Sequence, residues 1–291
     1  MPNDEESDLS VYHQMASLVT VRQIQTPLGL EIDFEMTVAD AELQMFEAGT
    51  EGGFNPVDRI SLVVENGSPM GWTAIGYDGV EDPSTVKVGS VAEPIRPSQL
   101  ITANTPYLDT LSYFAEEGFR FCFVLDGRRL TGTVDYAGLF KPPGRMCLFA
   151  LTLELETNAL RLCQRFAKQC FDVLSDGRKE KAIAVWKKRY ESKRRYSHRP
   201  IDDPHDHLGE IVACTTFIDK ARMISKCKLV IDRGRDEIDC VFNRAERIRN
   251  ACAHPVEGES FQEVLERKNL GSFLVKLTGL IDSIRRQTPD D

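Results

Sequence analysis

The sequence predicts an α+β protein in two parts: an α/β module made of two copies of one unit, followed by an all-α helical bundle. Three observations carry that reading. Short β-rich runs give way, after Lys141-Pro142-Pro143-Gly144, to long stretches with the 3.6-residue period of helices. The first half repeats itself. The charge also changes sign, with 7 Lys and Arg against 22 Asp and Glu in residues 1–140, and 29 against 23 in residues 141–291. A length of 291 residues has room for two domains of ordinary size. A content of 42% hydrophobic and 28% charged residues excludes disordered, collagenous and low-complexity classes.

Residues 1–17 read as an acidic tail, and the opening MPNDEESDLS lacks the basic-then-apolar order of a secretion signal. No apolar run approaches the ~18 residues that span a bilayer, so no membrane partner is expected. Cys122, Cys147, Cys163, Cys170, Cys214, Cys227, Cys240 and Cys252 never fall in a C-x-x-C pair. Several lie in apolar periodic stretches, as small buried hydrophobes do. They predict a reduced, cytoplasmic protein with neither a zinc site nor a disulfide framework.

The repeat occupies residues 18–140. Asp40-Ala41 leads a helical stretch ending at Gly49, and Asp109-Thr110 leads one ending at Gly118. The run Arg59-Ile60-Ser61-Leu62-Val63-Val64-Glu65 then corresponds to Arg120-Phe121-Cys122-Phe123-Val124-Leu125-Asp126. Asn66-Gly67 and Asp126-Gly127 are favoured two-residue hairpin turns, and a second apolar strand follows each. Each copy therefore reads helix, strand, hairpin, strand, helix, and two copies of this size bury their apolar faces together.

The order D-A-x7-G followed by R-I-S-L-V-V-E-N-G-S-P-M-G-W-T resembles a CBS domain, as does R-F-C-F-V-L-D-G-R-R-L-T-G-T-V-D in the second copy. That resemblance implies a paired module with an adenine nucleotide as regulatory ligand in the cleft between copies. Thr73, Asp78, Thr102 and Asp135 are the candidate nucleotide-binding residues. Both copies depart from the family pattern, in which an Asp follows a small hydroxyl residue by three positions. In the first copy Asp78 stands five after Thr73; in the second, Asp135 takes the hydroxyl position and Gly138 that of the Asp. A carboxylate repels phosphate but suits ribose hydroxyls. A degenerate module used for packing or dimerisation is the alternative.

Residues 141–147, with their Pro-Pro-Gly, read as the linker, and residues 148–288 as the helical domain. Helices are expected at about 148–174, 178–196, 208–228, 235–252 and 261–286. In the fourth, Ile238, Val241, Phe242, Ala245 and Ile248 recur at three- and four-residue steps and predict a buried face. At its end stands Arg249-Asn250-Ala251-Cys252-Ala253-His254-Pro255, which resembles the R-N-x-x-x-H signature of HEPN domains.

RNA brings its own nucleophile, the 2′-hydroxyl, so its cleavage needs proton transfer and a cation for the charge on phosphorus. His254 suits proton transfer near neutrality. Arg249 offers a planar, permanently charged fork for phosphate oxygens, and Asn250 can orient either partner. No metal or other cofactor is required. Five residues on a helix rotate by about 500°, leaving Arg249 and His254 roughly 140° apart. They meet only if His254 lies at a frayed end, which Pro255 favours, or if a second chain contributes. The resemblance implies such a composite site, hence a homodimer, and an endoribonuclease that leaves 2′,3′-cyclic phosphate ends. It also implies a toxin or defence role, with an antitoxin-like protein as a candidate partner.

Residues 178–199 hold ten Lys and Arg against Glu180 and Glu191, with Trp186, Tyr190, Tyr196 and His198 interleaved. Cations beside aromatic rings suit single-stranded RNA. Lys187, Lys188, Arg189, Lys193, Arg194 and Arg195 are the candidate RNA-binding residues, while Trp186 shares a face with Ile183 and Tyr190 and is expected in the core. His205-Asp206-His207 reads as a solvent loop rather than a metal site. The function expected is a nucleotide-regulated, metal-independent endoribonuclease acting on single-stranded RNA. The alternative is a non-catalytic RNA- or nucleotide-binding regulator.

Overall fold

In the computed structural model the described residues are 14, 17–51, 60–74, 80–117, 121–194, 203–253 and 270–288. The architecture is mixed α/β. The chain divides into two compact units, one of Val19–Thr110 with Glu117–Gly144, the other of Leu111–Glu116 with Arg145–Asp291.

In the first unit the chain runs α1 (Val21–Ile24), β1 (Thr26–Pro27), β2 (Glu31–Asp33), α2 (Val38–Glu51), β3 (Ile60–Glu65), β4 (Ser68–Ala74) and α3 (Val88–Val91). It continues through β5 (Leu100–Thr102), α4 (Tyr107–Glu117, of which Leu111–Glu116 count with the second unit), β6 (Phe121–Asp126), β7 (Arg129–Asp135) and α5 (Tyr136–Leu139). The expected hairpins form: β3 pairs antiparallel with β4 and β6 with β7, each pair with one register shift, at Val63/Val64 and at Val124/Leu125. Asn66 and Gly67 both take positive φ, 51° and 75°, the backbone of a type I′ turn. The second turn is displaced by one residue from the expected Asp126-Gly127. Asp126 ends β6, and the turn is Gly127-Arg128 with Gly127 at φ 63°, because a lone positive φ at the first central position needs only one glycine.

The sequence reading lacked two short parallel strands. β2 pairs with β3 and β5 with β6, which gives sheets ordered β2-β3-β4 and β1-β7-β6-β5. The copies also exchange their leading segments. In α1, Val21 and Arg22 donate backbone N–H groups to Thr105 and Ala103 of the second copy; in α3, Val88 and Gly89 donate to Met36 and Phe34 of the first. The strands behave alike: Thr26 of β1 pairs with Thr133 of β7, while Glu93, after α3, bridges to Trp72 of β4. Gly71 and Gly132 occupy equivalent places in this exchange. A Cβ would stand 2.6 Å from the Glu93 carbonyl oxygen at one and 2.5 Å from that of Thr26 at the other, so only glycine admits the crossing backbone.

Ile32, Val38, Ala41, Met45, Val63 and Val88 form one core cluster, which α3 closes over the first copy. The Trp72 ring meets Phe121 and Phe123 edge-on, at centroid distances of 4.9 and 6.3 Å, and ties β4 to β6.

The second unit is helical in its described residues: α6 (Pro142–Arg165), α7 (Ala167–Asp172), α8 (Asp176–Arg194), α9 (Leu208–Ala213), α10 (Phe217–Lys226), α11 (Arg235–Ala253) and α12 (Leu270–Gln287). Residues 141–147 are not an extended linker, since α6 begins at Pro142. Proline fits the first turn, where its missing N–H would have no intrahelical partner. The single helices expected at 148–174 and 208–228 are each broken in two. The second break falls at Thr216, whose hydroxyl accepts from the Asp219 N–H while the Asp219 carboxylate accepts from the Thr216 N–H, a capping box that starts α10. The expected apolar face of α11 is buried, from Ile238 to Ile248.

Among the described residues no helix is long and apolar enough to cross a membrane. No disulfide joins the eight cysteines, of which Cys122, Cys147, Cys163 and Cys170 are buried.

Candidate functional site

Two candidate sites lie on different units. In the α/β unit, Thr73 is buried at the last position but one of β4, and Asp78 lies outside the described residues. Asp135 ends β7 opposite Phe121, whereas Thr102 ends β5 opposite Leu125. Four positions of β6 separate Phe121 from Leu125, about 13 Å of extended chain. Thr102 and Asp135 thus stand at opposite ends of one sheet and do not converge, because β5 runs parallel to β6 and β7 antiparallel. The Thr102 hydroxyl is engaged with that of Thr105 at 2.9 Å.

Asp135 has a structural task as well, since its Oδ1 accepts from the Gly138 N–H at 2.6 Å and caps α5. Near it is a cation that the sequence reading placed in the linker. Lys141 donates to the Gln25 carbonyl and, at 3.1 Å, to Thr26 Oγ1. Burial lowers its pKa, and the charge of Asp135 partly restores it. An ammonium beside a carboxylate at a strand end can hold a phosphate and a sugar hydroxyl side by side.

The second site is at the end of α11. Ile248, buried, anchors the last turns, which leaves Arg249 half-buried and Asn250 exposed beside it. The Arg249 Nη1 donates to Glu156 Oε2 of α6 at 3.0 Å, and Nη2 lies 3.5 Å from Asn250 Oδ1. The guanidinium also stands 5.3 Å from the centre of the Phe217 ring. Glu156 faces a second cation, Lys220 Nζ at 4.0 Å, and this ammonium donates to the Thr215 carbonyl at 3.0 Å. Lys220 is buried; desolvation lowers its pKa, and Glu156 opposes that shift. A guanidinium has five donors, and the contacts of Arg249 occupy only part of that fork. His254, one position beyond Ala253, lies outside the described residues.

Of the basic stripe, Lys187, Lys188 and Arg189 are exposed on α8, and Lys193 and Arg194 are in its last turn. Arg195 falls outside the described residues. Trp186 is 2% exposed and donates from Nε1 to Glu210 Oε2 at 2.9 Å, as expected of a core residue. Its ring packs on Tyr190 and on His207, with centroids 5.4 and 5.2 Å away. His207 therefore belongs to a packed 3-10 turn, Pro204–His207, rather than to a solvent loop. Among the described residues no group of three or more His, Cys, Asp or Glu could hold a metal ion. The sequence reading missed Glu156, Lys220 and Lys141; no local signal marks them, as each acquires its partner through the fold.

No family model and no curated protein matches the chain. Among solved structures it is similar to a conserved CBS domain protein of unknown function from Thermoplasma acidophilum, at 18% identity and a TM-score of 0.32 over 45% of this chain and 75% of that one. It is similar to the CBS domain of a bacterial CNNM/CorC family Mg2+ transporter in complex with ATP, at 18% identity and 0.34 over 44% and 89%. A protein from Methanocaldococcus jannaschii aligns at 16% identity and 0.32 over 80% and 100%.

Proposed function

We propose that the chain is an adenine-nucleotide-responsive endoribonuclease, with the nucleotide bound by the α/β unit and single-stranded RNA cut by the helical unit. The observation that carries the nucleotide half is the reciprocal exchange of α1–β1 and α3 between copies, which makes the repeats one pseudo-twofold module. Lys141 and Asp135 supply a cation and a sugar-binding carboxylate at one end of it. For the RNA half, Arg249 grips the scissile phosphate, Asn250 positions it and His254 moves the proton, with the second copy of a homodimer completing the site. Exposed Lys187, Lys188 and Arg189 guide the strand, together with Lys193, Arg194 and Arg195. No metal enters the reaction, and the products carry 2′,3′-cyclic phosphate ends. An antitoxin-like protein is the partner expected of a toxin or defence role.

The ion pair between Arg249 and Glu156 favours a second reading, a non-catalytic regulator that binds RNA or nucleotide. One experiment separates the two. The purified chain is incubated with single-stranded RNA in EDTA, with and without ATP or AMP, beside His254→Ala. Cleavage that the variant loses supports the enzyme. RNA binding without cleavage under every condition overturns it in favour of the regulator. Adenine nucleotides should also raise the melting temperature, and the absence of any shift removes the nucleotide half.

A further inference from the structure

Away from Arg249, the helical unit holds a concavity of about 430 Å³ lined by Val173, Leu174, Ser175, Arg178, Arg222, Lys226, Arg235 and Asp239. Four cations face one carboxylate there. They come from three helices: Arg178 from the first turn of α8, Arg222 and Lys226 from one face of α10, and Arg235 from the first turn of α11. Fourteen positions of α11 separate Arg235 from Arg249, about 21 Å along its axis.

The cations are held in place. Asp219, with only 7% of its side chain exposed, forms ion pairs with Arg178 and, at 3.9 Å, with Arg222, while its other oxygen caps α10. Lys226 Nζ donates to the Val173 carbonyl at 3.3 Å, and Arg235 Nε lies 3.7 Å from Asp239. Ser175 opens the 19-residue helix α8, whose N-terminal end adds a partial positive charge. Asp219 and Asp239 offset two of the four positive charges, and the two that remain in excess around the concavity favour an anion among them. Guanidinium forks match the oxygens of a phosphate in pairs, and the volume is that of a small-molecule site.

We propose that this pocket binds a phosphorylated ligand through its terminal phosphate, held by Arg178, Arg222, Lys226 and Arg235. Its lining includes none of the residues assigned to the nucleotide module or to the RNA motif, so it stands whether or not those readings do.

The test uses the full chain with inorganic pyrophosphate as probe, at constant ionic strength, by titration calorimetry and thermal melting. Pyrophosphate at about 100 times its Kd should raise the melting temperature by about 5 °C, with sodium chloride as the blank. Arg222→Gln with Arg235→Gln should weaken binding by about tenfold or more while leaving the unliganded melting temperature within a few degrees, as the side chains are 44% and 65% exposed. Arg235→Gln alone serves if the double variant is unstable, read by loss of the 31P line broadening seen with the parent chain. Equal pyrophosphate affinity in parent and variants, or no binding to the parent, overturns the proposal. Displacement of pyrophosphate by a 5′-phosphorylated RNA but not by its 5′-hydroxyl counterpart would identify an RNA end as the phosphate source. Displacement by a small phosphomonoester and by neither RNA would identify a small phosphorylated molecule as the source.

Discussion

Arg249 donates to Glu156 at 3.0 Å across 93 positions of sequence, and the same carboxylate faces the buried ammonium of Lys220. One anion therefore serves two cations, and its loss strands both.

Glu156→Gln should destabilise the chain by about 2–4 kcal/mol, because Lys220, only 3% exposed, would lose the carboxylate that offsets its desolvation. Urea unfolding measures this. The same variant frees the Arg249 fork, so single-stranded RNA should bind more tightly; unchanged RNA affinity would count against Arg249 as a phosphate ligand.

Gly71→Ala and Gly132→Ala should each cost about 2–3 kcal/mol, since the added methyl group meets a backbone carbonyl at 2.6 or 2.5 Å. Gly177→Ala is the control. It lies in α8 with open space around the new methyl and should gain about 0.5–1 kcal/mol. Similar losses at Gly71 and Gly132, read by denaturant midpoint, are what the twofold exchange requires.

Alkaline pH should weaken the fold. Burial pushes the thiols of Cys147, Cys227 and Cys252 from 9.0 up to about 11. A raised pKa means that the folded state holds the proton more firmly, so this stability is complete below pH 9 and is lost as pH rises toward 11. Lys220 acts with the opposite sign. Its lowered pKa makes stability rise with pH in the window below 10.5. Lys141 shifts in the same direction as Lys220, and Cys170 in the same direction as the other thiols. Four raised thiols outweigh two lowered amines, and denaturation midpoints should fall between pH 9 and 11. Cys252→Ala should flatten that slope, and Lys220→Met should steepen it.

Thr216→Ala should cost about 1 kcal/mol through loss of the cap on α10. Asp219→Ala should cost more, because it also releases Arg178 from its ion pair. A thermal melt of the two variants side by side gives the order.

The sequence made the hairpins and the buried face of α11 legible, because alternation and 3.6-residue spacing are local signals. The three-residue strands β2 and β5 were not, as three residues show no period. Pro142-Pro143 read as a break although proline is also at home in a first helical turn. The candidate nucleotide-binding residues illustrate a further limit. Thr102 and Asp135 look comparable along the chain, but the opposite strand directions beside β6 send them to opposite ends of a sheet. Arg249 and Asn250 are singled out by a local pattern, whereas Glu156, 93 positions away, joins them only through folding.

The mutual loan of α1–β1 and α3 sets a schedule for synthesis. Thr26 leaves the ribosome roughly 107 residues ahead of its strand partner Thr133, a wait of about 5–20 s at ordinary elongation rates. The backbone acceptor of Val21, Thr105, follows it by 84 residues. Until it emerges the apolar Val21 and Ile24 have no docking place, so a nascent chain paused before the second repeat should be a preferred client of chaperones.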